Sequence, residues 1–142
     1  MEFSVRIPFV ELLGFELNKF EGGEAQITFK PSDDHLNSFD VVHGGASMTL
    51  LDVVMAHAAR SVEVDMGVVT IEMKTSFMRA AKGPLTAKGK LLHRTATMAF
   101  TEGSIFDAAG KLCSHATGTF KFVARLPVGA GSVQAFNRIS TD

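Results

Sequence analysis

The stretch HLNSFDVVHGGASMTLLD, residues 35–52, carries a polar loop into a nearly all-apolar helix that holds one carboxylate, Asp52. From Ala46 to Ala59 almost every residue is apolar or small, and a helix hydrophobic all round is expected to lie in a core. An acid there is expensive. Burying an ionised carboxylate calls for a charge partner, a raised pKa or a chemical role. Asp52 can serve as a nucleophile or as a general base that activates water. It can equally be a buried acid hydrogen-bonded to Thr49 or to a neighbouring strand, fixing the fold's specificity.

The pair Gly44-Gly45 opens the helix. The first N–H groups of a helix lack intrahelical acceptors and sit at the positive end of its dipole, so this turn suits an anion or a developing oxyanion on an attacked ester or thioester carbonyl. Two glycines can also simply make a tight entry to the helix. His43 is read as orienting the loop, and Asn37 as holding either that loop or an acyl carbonyl. Eight residues along, Asp52 lies roughly 12 Å further up the axis and about 80° around it from Gly44. One helix cannot easily bring both to one carbonyl; two antiparallel helices related by a twofold axis can, which predicts a homodimer with two equivalent shared sites.

Outward from the helix, a short helix is expected near Val5 to Leu13, with Pro8 tolerable in its first turn. Segments Phe15–Phe20 and Glu24–Lys30 flank Gly22-Gly23 in a hairpin pattern. After the helix, which runs to about Ser61, the alternation of Val69, Ile71, Met73, Thr75 and Phe77 against Thr70, Glu72 and Lys74 predicts a strand with those two faces. Leu85–His93, Ala96–Phe106 and Lys111–Val123 read as further strands, the last two joined by a turn over 107–110. One long helix and five or six antiparallel strands predict an α+β domain spanning 1–142, with a curved sheet wrapped around the helix, a core over about 14–123 and a Gly-rich tail from Pro127.

The chain has 142 residues, 14 basic and 15 acidic, for a net charge of -1. No global basic field favours nucleic acid or a membrane surface. Asp52, His57 and Arg60 interrupt the longest apolar segment, so no membrane span is expected, and no signal peptide is read at the start. The single cysteine, Cys113, fits a small buried hydrophobe and a reducing cytoplasm. His35, His93 and His115 show no metal-ligand spacing, and neither a metal nor a cofactor is expected.

Taken together, Asn37, His43, Gly44, Gly45 and Asp52 in N-x5-HGG-x4-LLD, followed by VVTIEM, resemble the hotdog-fold thioesterases of the phenylacetate-degradation (PaaI-like) group in the hydroxybenzoyl-CoA thioesterase superfamily. The resemblance implies hydrolysis of an acyl-CoA by homodimers paired into a tetramer, with Asp52 as the carboxylate supplied across the interface. It implies that the Gly44 N–H polarises the thioester carbonyl, that Asn37 and His43 support it, and that Thr70 positions the attacking water. The stretch Phe77, Met78, Arg79, Ala80, Ala81, Lys82 resembles the part that runs along the coenzyme, and Gly45 is a further candidate for substrate binding. Arg79, Lys82 and Arg94 are candidates for phosphate contacts, and Glu72 is a further candidate for substrate contact. Many relatives carry glycine where this chain has Asp40, which is expected to point to solvent. Phe39, Met48, Met55 and Met73 are candidates to line an acyl tunnel. Two other readings remain: a hotdog hydratase or dehydratase, and a non-catalytic acyl-CoA binder or sensor.

Overall fold

The computed structural model describes residues 1–124, so the tail expected from Pro127 lies outside the described residues. A short helix α1 (Pro8–Leu13) starts at its proline, with Ile7 still extended. The fixed φ of proline suits only the first turn, which is why α1 begins later than Val5. Strands β1 (Glu16–Glu21) and β2 (Glu24–Phe29) pair across Gly22 and Gly23, at φ 61° and 84°. Both positions require the left-handed region, which only glycine enters at no steric cost.

The long helix α2 (Gly44–Arg60) precedes four strands, β3 (Gly67–Phe77), β4 (Leu85–Arg94), β5 (Met98–Phe106) and β6 (Leu112–Val123). All neighbouring strands are antiparallel in one six-stranded sheet of order β1-β2-β4-β5-β6-β3. This is the expected hotdog arrangement, with β1 and β3 as its edges. Leu50, Leu51, Val54, Met55 and Ala58 of α2 are fully buried, as are Ile27, Ala87, Ile105 and Phe120 of the sheet. Each large aliphatic or aromatic side chain so buried contributes roughly 1.5–3 kcal/mol. Gly89 on β4 faces the carbonyl of Val54, and a Cβ there would collide with that backbone. Glycine therefore sets how closely the helix lies on the sheet.

Both ends of α2 are tied by side chains. His43 caps the start, its Nδ1 accepting from the Gly45 N–H at 2.8 Å. At the other end the Ser61 hydroxyl donates to the Ala58 carbonyl at 2.7 Å and accepts from the hairpin's Gly23 N–H at 2.8 Å. The helix is not sheathed all round, however. Gly45, Met48, Thr49, Asp52, Val53 and Ala56 form a stripe that the chain leaves exposed or half-buried. Their spacing of three and four residues makes them one face.

Two strand expectations need correction. The fifth strand begins at Met98 rather than Ala96, because Thr95 turns the chain: its N–H donates to the Met98 carbonyl at 2.8 Å, and its hydroxyl accepts from the Met98 N–H at 2.9 Å. In β3 the alternation slips. Thr70 pairs with Phe120 and Glu72 with Thr119, leaving Ile71 as the extra residue of a bulge. Residues directly opposite in an antiparallel ladder share a face, so Thr70 lies on the helix-facing side with buried Phe120. Val69 and Ile71 therefore do not share a face with Met73, Thr75 and Phe77.

Candidate active site

The Gly44 end of α2 has one open donor. The Ala46 and Ser47 N–H groups both donate to the His43 carbonyl, at 2.9 and 3.2 Å, and Gly45 is held by His43 Nδ1. The Gly44 N–H makes no hydrogen bond among the described residues. Acceptance at Nδ1 leaves Nε2 as the ring nitrogen that carries a proton. Asn37 stands over this end. Its Oδ1 accepts from the Phe39 and Val41 N–H groups at 2.9 and 3.3 Å, so the carboxamide is turned with Nδ2 away from the loop it braces. Gly44 and Asn37 line a groove of about 340 Å³ with Ser47, Phe77, Arg79, Ser114 and their neighbours.

Asp52 is elsewhere. Its Oδ1 accepts a 2.6 Å hydrogen bond from the Thr70 hydroxyl, which the β3 bulge has turned toward the helix. Burial holds the Asp52 carboxyl above the usual carboxylate range, and the Thr70 hydroxyl draws it partway back. Burial disfavours the charged form while a donor to it favours it, so the acid is partly desolvated yet held in one orientation. Thr49, an expected alternative partner, instead donates to the Gly45 carbonyl at 2.8 Å. Within one chain there are thus two clusters: an open N–H with a carboxamide at the helix start, and a carboxylate with a hydroxyl roughly 12 Å along.

Of the residues read along the coenzyme, Met78, Arg79, Ala80 and Ala81 line the Gly44 groove. The Ala81 carbonyl also accepts from the Val42 N–H at 2.9 Å, which ties this stretch to the loop entering the helix. Lys82 is exposed and outside the groove lining. Arg94 is occupied elsewhere. It pairs with Glu63 at 2.9 Å and lies 4.4 Å from the centre of the Phe122 ring. Glu72 accepts from the Thr119 hydroxyl at 3.3 Å, and the bulge places it on the face opposite Thr70.

The tunnel candidates divide. Met55 is core, packed where Gly103 and Gly118 leave room on the sheet, whereas Phe39 is 81% exposed and Met48 partly so. Met73 is half-buried on β3. Asp40 is exposed in the left-handed region at φ 58°, pointing to solvent as expected. Cys113 is buried, and burial raises its thiol's pKa. Among the described residues no cluster of His, Cys, Asp and Glu could hold a metal, and no helix is long and apolar enough to cross a membrane.

Phe77, the first residue of the coenzyme stretch, also lines the groove, and its ring would lie 3.4 Å from a Cβ at Gly44; sequence reasoning missed the two serines there, Ser47 and Ser114. Ser47 had a local signal, since it stands one helical turn beyond Gly44. Ser114 had none, because only the pairing of β6 with β3 at Phe77 brings it there.

Comparison with known proteins bears on the fold and the family. A conserved protein of Pseudomonas aeruginosa superimposes with a TM-score of 0.80 at 27% identity, covering 84% of this chain and 96% of that one. The PaaI protein of the E. coli phenylacetic acid degradation operon shares the fold with a TM-score of 0.75 at 21% identity, covering 84% and 85%. A Saccharolobus solfataricus protein named "Putative esterase SSO2140" is 31% identical over 121 residues, 84% of this chain and 86% of that one. Residues 39–114, which run from the loop before Gly44 past Asp52 and Thr70 to Ser114, match the thioesterase superfamily. With more than half its length inside that match, the chain belongs to the thioesterase superfamily.

Proposed function

We propose that this chain is a PaaI-like acyl-CoA thioesterase, hydrolysing an aryl- or fatty-acyl-CoA to the free acid and coenzyme A, with each active site shared across a homodimer. The observation that carries the reading is the division of one reaction's equipment between two places on α2. The open Gly44 N–H, with Asn37 beside it, polarises the thioester carbonyl. Asp52 of the other subunit, oriented by Thr70, takes a proton from the attacking water or attacks directly.

Two features of a single chain favour that arrangement. The half-covered stripe of α2 contains Asp52, and β3, which carries Thr70, is an unpaired sheet edge of eleven residues. Joining two copies along β3 covers the edge and turns the stripes toward each other. Arg79 at the groove is the candidate phosphate contact. Pairing of dimers into a tetramer and a cytoplasmic setting belong to the same proposal.

Release of coenzyme A thiol is the direct assay. Wild type is expected to turn over at least one of phenylacetyl-, hexanoyl- and palmitoyl-CoA. Asp52→Asn is expected to lose a factor of about 100 to 10,000 in kcat, the range general acid–base catalysis supplies. Mixing Asp52→Asn with Gly44→Pro subunits is expected to restore part of the activity, since a heterodimer regains one complete site. No recovery despite verified subunit exchange would rule out sharing. Enoyl-CoA turnover without thiol release would move the chain to the hydratases.

A further inference from the structure

A buried hydroxyl in the Gly44 groove has no structural partner. Ser47 is 2% exposed, yet its Oγ makes no hydrogen bond among the described residues. Two residues further along the same helix lies the contrast: Thr49 spends its hydroxyl on the Gly45 carbonyl, the ordinary outcome for a helical hydroxyl. The unbonded buried side-chain atoms fully closed off from solvent, among the described residues, are His57 Nε2 and Thr75 Oγ1. Ser47 Oγ is not one of them, so it keeps an opening, and the groove that Ser47 lines together with Gly44 and Asn37 supplies it. Side chains on a helix lean toward its N-terminus. Ser47 stands one turn beyond Gly44, so that lean is toward the end of the helix where the Gly44 N–H is open, and both residues line the one groove.

We infer that Ser47 is a further catalytic residue, donating its Oγ–H to the substrate oxygen that becomes the oxyanion, beside the Gly44 N–H and the Asn37 carboxamide. The inference rests on the hydrolytic reading above. In the general-base form of the reaction, a water oxygen bonds to the carbonyl carbon, its proton passes to the Asp52 carboxylate, and the π pair of the carbonyl moves onto oxygen. Collapse returns that pair to the carbonyl and breaks the carbon–sulfur bond. The leaving thiolate then takes the proton from Asp52. A neutral carbonyl oxygen offers two lone pairs, which Gly44 and Asn37 fill. The alkoxide offers one more, so a third donor is fully engaged only as negative charge develops. A donor of that kind raises kcat and leaves ground-state binding almost unchanged.

The experiment measures thiol release from phenylacetyl-, hexanoyl- and palmitoyl-CoA by wild type, Ser47→Ala, Ser47→Cys and Thr49→Ala, each checked for folding by thermal unfolding. Ser47→Ala is expected to lower kcat about 100-fold, the typical cost of losing one oxyanion donor, with KM within about twofold of wild type. Ser47→Cys, which fills the site but donates poorly, is expected to fall with it. Thr49→Ala, whose hydroxyl is already used inside the helix, is expected to stay within about threefold of wild type. An active wild type with Asp52→Asn silent but Ser47→Ala undiminished would overturn the role of Ser47 and leave the hydrolytic reading standing. An equal loss in Thr49→Ala, or a loss confined to KM, would also overturn it. A folded wild type that releases no thiol from any of the three esters would remove the hydrolytic reading, and the role of Ser47 with it.

Discussion

Asp52 and His57 sit five residues apart on the same helix, and burial pushes their pKa values in opposite directions. The Asp52 carboxyl is raised by burial and is answered by one hydroxyl, at the edge of the open stripe. His57 is 2% exposed, its pKa lowered to about 4 chiefly by burial. Its Nδ1 lies 2.8 Å from the Val53 carbonyl, its Nε2 has no partner, and Phe3 and Phe20 meet its ring edge-on. Nearby Arg60, with its guanidinium on the Met66 and Val64 carbonyls and the Ser4 hydroxyl, makes a second proton there still less favourable. Both groups resist charging, yet only Asp52 has a route to a ligand. Perturbed titration alone therefore does not mark a site; perturbation beside an opening does.

The largest effect that sharpens this contrast is on Asp52 itself. A raised carboxyl pKa means the folded state holds its proton more tightly than the unfolded chain. The cost of ionising Asp52 thus appears as pH rises from about 3.8 through the folded value and persists at neutrality. Asp52→Asn is expected to unfold at a higher temperature than wild type at pH 7, with the gap closing below pH 4, while turnover falls by the factor of about 100 or more given above. An Asn variant less stable than wild type at pH 7 would show that the carboxylate is a structural anchor.

His57 predicts a pH dependence of the other sign. Its folded pKa of about 4 lies below the unfolded 6.5, so the unfolded chain takes up the proton first. The stability that His57 contributes is complete above pH 6.5 and is lost as pH falls toward 4, by about 3 kcal/mol. Urea unfolding of wild type and His57→Gln at pH 7 and pH 4.5 checks this; the variant is expected to lose distinctly less on acidification. Equal losses would mean that solvent or a reorganised Phe3 admits the proton.

How far these two environments were readable beforehand depends on whether a feature is local in the chain. The helix, its glycine entry and its acid follow from consecutive residues, as does the hairpin turn at Gly22 and Gly23. The face of Thr70 does not. Val69, Ile71 and Met73 fit a regular alternation, and nothing short of the pairing with β6 reveals that Ile71 is an insertion. Met55 looked like a tunnel residue because its setting is built by Gly103 and Gly118, far along the chain. Arg94 looked free because its partner, Glu63, lies 31 positions earlier. A mid-strand glycine in each of β4, β5 and β6 was a readable sign of close backbone approach, and it indicates where the helix lies on the sheet.

The Thr70 bond gives a smaller and more discriminating effect. Thr70→Val keeps the shape of the side chain and removes the donor that lowers the Asp52 pKa. The acid limb of the kcat/KM profile is then expected to move to higher pH, with a loss at pH 7 of about tenfold. A uniform loss with no movement of the limb would assign Thr70 to placing water rather than to tuning the acid.

Asp40 tests the outer boundary of the site, where the smallest effect is expected. Its side chain is exposed, and its φ of 58° is a conformation in which glycine is the least strained residue. Glycine there relieves backbone strain but adds unfolded-state entropy, and these nearly offset, so Asp40→Gly is expected to gain only about 0.5 kcal/mol. Asp40→Asn removes the charge while retaining a side chain that tolerates the left-handed region, which separates charge from backbone. With the carboxylate in solvent, neither variant should change kcat/KM for neutral or anionic acyl groups by more than about twofold. A rise in kcat/KM confined to anionic acyl groups and shared by both variants would place Asp40 at the groove mouth, repelling charge. A rise in Asp40→Gly alone would instead locate the effect in the loop backbone that Asn37 braces.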